Sequence, residues 1–151
     1  LNFSPCSLVK SVIIASLVDK YCKRVSREAH SFTGFVRFKE IGPLSYYSVI
    51  EPDHNILPII LRHFTNRFSD QNFIIHDLKR EKAIVYNTKE AIITDLTKEQ
   101  GEKLSNKIDD SDFENLWRTF YNSVNIEERK NHKCRNQHMP RRYWKHLTEL
   151  Q

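Results

Sequence analysis

The chain has 151 residues, 39% of them hydrophobic, and a formal net charge of +5, which suits one domain with a core of its own. No apolar run approaches the ~20 residues of a membrane-spanning helix, so no membrane partner is expected. Three scattered glycines, Gly34, Gly42 and Gly101, exclude a P-loop or dinucleotide-binding turn, and no nucleotide-type cofactor is expected.

Cys6, Cys22 and Cys134 are widely spaced and form no CxxC pair. That pattern predicts a cytoplasmic chain without structural disulfides. Ser4-Pro5 is a helix start, with Ser as cap and Pro in the first turn. Val18, Tyr21, Cys22, Val25 and Ala29 then keep helical spacing to about His30. Lys20, Lys23, Arg24 and Arg27 fall on the polar side and read as a solvated face.

Residues 33–41 and 46–52 predict two strands joined at Gly42-Pro43 as an antiparallel hairpin. A helix follows over about 56–68. His54 or Asn55 is its expected cap, Pro58 sits in its first turn, and Leu57, Ile60, Leu61, Phe64 and Phe68 form its buried stripe. Three β-rich runs, 72–78, 82–87 and 91–96, read as a meander. Residues 97–110 are polar, helix or loop. Ser111-Asp112-Phe113-Glu114 is a capping box. It opens an amphipathic helix carrying Phe113, Leu116, Trp117, Phe120, Tyr121 and Val124, and the chain is helical again on both sides of Pro140. The expected fold is α+β, one domain over 1–151. It has a mainly antiparallel sheet of about five strands packed with a long N-terminal helix and C-terminal helices. Trp117 and Trp144 are both expected in the interior.

Charge is unevenly spread. Residues 129–151 hold seven Lys/Arg and one acid, Glu149, while residues 1–128 hold 17 and 18. Such asymmetry points to a polyanionic partner. Arg129, Lys130, Lys133, Arg135, Arg141, Arg142 and Lys145 are candidate phosphate contacts. Tyr143 or Trp144 is either a stacking platform for an unpaired base or a core anchor, and the anchor is the plainer reading. Arg27, Glu28, His30 and Arg37 bracket the first helix–strand turn, where arginine can bind phosphate or tie helix to sheet.

Glu51, Asp53, His54 and Asn55 form a strand-to-helix corner. Carboxylate and imidazole there suit acid/base work or simple turn and cap duty. Glu51, His54 and His63 are the acid/base candidates, provided tertiary packing brings His63 to the corner. His132, Cys134 and His138 supply at most three local metal ligands, one short of a closed zinc site, and no metal is expected.

Three stretches, VSREAHSFTGFVRF (25–38), EPDHNILPIILRHFTNRFSDQNFIIHD (51–77) and LWRTFYNSVNIEERKNHKCRNQHMPRRYW (116–144), carry a resemblance. The chain resembles, from about residue 8 onward, a family described as probable DNA metabolism proteins, a domain of unknown function. The resemblance rests on the spacing of R-E-A-H, G-F-x-R-F, E-P-x-H, H-F-x-x-R-F, W-R-x-x-Y and M-P-x-R-Y-W. The matching positions include Arg27, Glu28, His30, Arg37, Glu51, Pro52, His54, His63, Trp117, Arg129, Pro140, Arg142, Tyr143 and Trp144.

It implies a cytoplasmic DNA-repair accessory that binds DNA, single-stranded or damaged, beside a radical-SAM partner of DNA-repair type. Some members are fused to a uracil-DNA-glycosylase-like domain. It also implies a further N-terminal region, which makes this chain the C-terminal two-thirds of a longer protein. No activity of the family carries over. A DNA-processing enzyme and a protein–protein adaptor without DNA contact are the two rival expectations.

Overall fold

The computed structural model describes residues 5–105, 111–124 and 131–150. Arg129 and Lys130 lie outside them, as do residues 106–110 and the side chains of the expected capping box. The architecture is α+β: a long N-terminal helix, a five-stranded, mostly antiparallel sheet, and C-terminal helices.

Helix α1 spans Pro5–Phe35, about five residues past its expected end. Ala29, Phe32 and Phe35 continue the apolar spacing, and Ala29 and Phe32 are buried with Phe35 packed against them. That burial outweighs the β preference of Thr33 and Val36. Strand β1 is therefore only Lys39–Gly42. The stripe is not all used: Val25 touches the core, whereas Val18, Tyr21 and Cys22 are exposed.

Strands β2 (Ser45–Ile50), β3 (Asn72–Asp77), β4 (Lys82–Tyr86) and β5 (Ala91–Asp95) follow β1 in spatial order. β1–β2 is the expected antiparallel hairpin, and β3–β4–β5 is the expected meander. β2 and β3 pair parallel, with Tyr46 opposite Phe73 and Ser48 opposite Ile75. Parallel strands need a crossover, and α2 (Leu57–Arg67) supplies it. Its N-cap is Ile56, without a side-chain cap bond, so neither His54 nor Asn55 caps it. Pro58 sits in the first turn as expected.

One sheet face, with Ile50, Phe73, Ile75, Ile84 and Tyr86, packs on Phe32 of α1 and on Leu57, Ile60 and Phe64 of α2. The opposite face is capped by α3 (Lys98–Ser105), whose Gly101 presses on Tyr47 and His76. His76 is fully buried between the Tyr47 hydroxyl, 2.8 Å from Nδ1, and the Leu96 carbonyl, 2.9 Å from Nε2.

Helices α4 (Ser111–Val124) and α5 (His132–His138) lead to two 3-10 turns, Arg141–His146 and Thr148–Leu150. Tyr143 and Leu147 return to the interior, at 4% and 0% exposure. Trp117 does not: it is 42% exposed, and Leu116, Phe120 and Val124 share its exposed face. The apolar periodicity of α4 gave the helix correctly but not a core partner. Its indole N–H donates to Glu149 Oε2 at 3.2 Å.

Candidate functional site

The site is built around Glu28. Burying Ala29 and Phe32 turns the neighbouring Glu28 toward the corner after β2, where Pro52 is also buried. That corner presents two backbone N–H groups without a helix to take them. The Asp53 N–H donates to Glu28 Oε1 at 2.7 Å, and the His54 N–H to Oε2 at 2.9 Å. His54 Nδ1 stands 2.5 Å from the same Oε2.

From the far end of the chain, the Tyr143 hydroxyl donates to Oε1 at 2.6 Å. The Tyr143 ring sits edge-on to Phe32, centroids 4.9 Å apart. Burial opposes ionisation of Glu28, but the hydrogen bonds from Tyr143, Asp53 and His54 outweigh it and hold the carboxyl below its ordinary value. Burial, and then the bond to Glu28, push the Tyr143 phenol up.

Arg142 Nη2 donates to the Tyr143 hydroxyl at 2.8 Å and pairs with Asp53 Oδ2 at 2.9 Å. Lys79 takes the other Asp53 oxygen at 3.0 Å. Above this network opens a cleft of 380 Å³, lined by Arg24, Arg27, Ser31, His54, Gln137, His138, Pro140 and Arg142, with Glu28, Asp53 and Tyr143 also reaching its wall. The R-E-A-H, E-P-x-H and M-P-x-R-Y-W stretches, far apart in sequence, thus meet at one place.

A family model, "Domain of unknown function (DUF4130)", matches residues 10–149. The chain belongs to the DUF4130 family. No curated protein and no solved structure matches it.

Other sequence candidates lie elsewhere in this DUF4130 domain. Glu51 pairs with Lys145 at 2.6 Å and stands 3.4 Å from the buried His146 Nε2. Burial raises its pKa, but the Lys145 bond and charge outweigh that and lower it. Arg37 grips Glu149 through two bonds, 2.5 and 3.2 Å long, so it ties the α1–β1 link to the C-terminal 3-10 turn, neither the expected helix-to-sheet tie nor an open phosphate contact. His63 is exposed on α2, edge-on to Phe64 and away from the cleft lining. Glu51, His54 and His63 therefore do not converge.

Tyr143 is the core anchor and has no free face for a base. Trp144 is half-buried, its N–H on the Met139 carbonyl at 2.9 Å, with Arg135 and Arg141 over its ring at 4.8 and 5.6 Å. Lys133 is exposed.

Among the described residues no group of three or more His, Cys, Asp or Glu is placed to hold a metal. His132 Nδ1 instead faces Arg135 at 3.2 Å. Sequence reading missed the centrality of Glu28 and the place of Arg24 in the cleft. The only signal for either was the R-E-A-H spacing beside a helical charge run.

The ionisable groups predict a two-step pH dependence. His76 and His146 are pushed below 6.5 by burial. Their contribution is complete above that pH and falls away as pH drops toward their folded values, because the unfolded chain takes up the protons first. Glu28, Glu51 and Glu149 are held below 4.5, and Asp53 below 3.8. Their stabilisation is present above those values and is lost as pH falls through the lower folded ones. Urea midpoints should be flat above neutrality, decline below pH 6.5 and drop more steeply below 4.5. A midpoint unchanged from pH 7 to 5 would contradict the histidine step.

Proposed function

We propose that this DUF4130 domain is a DNA-metabolism accessory that binds nucleic acid through the phosphates, with the Glu28-based cleft as its centre. The carrying observation is convergence: Arg24 and Arg27 from α1, His54 from the β2–α2 corner and Arg142 from the C-terminal turn line one cleft. Arginine forks suit phosphate oxygens, and the one buried carboxylate beneath them is already occupied by its own donors. Lys133 and Arg141 are exposed too and are open to further phosphates. Lys145 is drawn to Glu51 and Arg37 to Glu149, so the strip contributes fewer phosphate contacts than its sequence offers. The radical-SAM partner of DNA-repair type implied by the resemblance belongs to this reading, and co-purification from native extract tests it separately.

Fluorescence anisotropy with single-stranded DNA at several salt concentrations tests the binding. With about three or four phosphate contacts, log affinity should fall against log salt with a slope of roughly −2 to −3, at ~0.7 per contact on single strands. Arg27→Ala should weaken all sequences alike and flatten the slope by about 0.7. Absence of binding in low salt would leave the basic surface for a protein partner.

A second reading, a DNA-processing enzyme, is favoured by one observation. Glu28 holds His54 by Nδ1 in the cleft, an arrangement that leaves Nε2 for proton transfer. His54→Ala would then abolish turnover of DNA while keeping affinity. Turnover unaffected by that substitution excludes the reading.

A further inference from the structure

We propose that the cleft takes a terminal phosphate monoester, the phosphorylated end of a nucleic-acid strand, in preference to a phosphodiester within one. The proposal rests on the nucleic-acid reading above and narrows it. Its basis is the charge left over once internal pairs are matched. Glu28 is held by four donor groups, and its charge and that of Asp53 together are offset by the two cations Lys79 and Arg142. Asp53 is matched by Lys79 at 3.0 Å and by Arg142 at 2.9 Å.

Arg24 and Arg27 differ. They stand three residues apart on α1, where side chains are neighbours, and both are exposed at the cleft. Among the described residues neither has an acidic partner, and Arg24 lies only over the Tyr21 ring, at 5.6 Å.

Two guanidiniums without a counter-charge match a dianion. A phosphate monoester carries about −1.5 to −2 at neutral pH and presents three strong acceptor oxygens, whereas an internal diester carries one charge. Those oxygens can be shared among Arg24, Arg27 and the anchored Arg142. The volume agrees: 380 Å³ is near the lower end of small-ligand clefts, suited to one nucleotide at a strand end.

The test is an anisotropy titration of the whole chain with one labelled single-stranded DNA in four forms: 5′-phosphorylated, 3′-phosphorylated, unphosphorylated and circular. One phosphorylated form should bind about tenfold tighter than the last two, as one additional charge-assisted contact allows, and the two phosphorylated arms identify the end. Arg24→Ala and Arg27→Ala should each erase that difference, whereas Arg62→Ala, an exposed change on α2 outside the cleft, should keep it. Melting curves establish that each variant is folded.

Equal affinity for all four forms would overturn the proposal while leaving nucleic-acid binding in place. No binding to any form in low salt would remove both. Adenosine monophosphate displacing the phosphorylated strand at matching concentration would reassign the cleft to a free nucleotide and overturn the strand-end assignment.

Discussion

Glu28→Ala should cost about 3–5 kcal/mol of folding stability, because it strips the acceptor from several buried donors at about 1–3 kcal/mol each. The carboxylate is 9% exposed and accepts from two backbone N–H groups, a phenol and an imidazole. Alanine leaves the Asp53 and His54 N–H groups and the Tyr143 hydroxyl without their acceptor, and an unpaired buried donor carries most of its desolvation cost. Glu28→Gln should fall between alanine and the native residue. Its amide oxygen can keep some of the donors, but its NH₂ must face others. Urea unfolding of the three proteins at pH 7 checks the order. A glutamine variant as stable as the native chain would show that charge on Glu28 contributes nothing. If the proposed nucleic-acid reading holds, DNA affinity should fall with the same ranking, because Glu28 bonds the β2–α2 corner and the C-terminal turn to α1.

Gly101→Ala should destabilise the fold by about 1–3 kcal/mol, the usual cost of overpacking, although alanine in a helix normally gains about 1 kcal/mol over glycine. An added Cβ would lie 2.5 Å from His76 Nδ1, 2.5 Å from the Tyr47 hydroxyl and 2.7 Å from His76 Cε1. Neither side chain can step back. His76 is tied to the Leu96 carbonyl, and Tyr47 is tied to His76. Adding Tyr47→Phe removes one of the clashing atoms, so the double variant should be less destabilised than the sum of the two single changes. Thermal melting of the four proteins measures this, and strict additivity would place the strain elsewhere.

Much of the fold was legible because it is local. The Gly42-Pro43 hairpin, the α2 stripe with Pro58, and the β3–β5 meander each depend on a few adjacent residues. The boundary between α1 and β1 was not, since Thr33 and Val36 look β-prone until Phe32 and Phe35 are seen against the sheet. Trp117 sits in the cleanest helical periodicity of the chain and is still exposed: periodicity gives a face, and only tertiary packing gives its partner. The cleft was legible in parts. Arg27, His54, Arg142 and Tyr143 were each singled out, but the C-terminal charge run drew attention to a linear strip. Lys145 and Arg37 look like open cations in sequence because Glu51 and Glu149 reach them only through the fold. Nothing local shows that Glu28 joins residues 53, 54 and 143.

The Glu28–Tyr143 bond spans 115 positions, and that separation sets an order of events in time. Contacts so distant along the chain close late, after the loop entropy between them has been overcome. On a ribosome, α1, the sheet and α2 emerge well before residue 143. In that interval Phe32 lacks the aromatic ring that covers it, and Glu28 lacks its phenolic donor. The cleft has no finished wall until the C-terminal turn arrives. A nascent chain therefore acquires its secondary structure early and its cleft last.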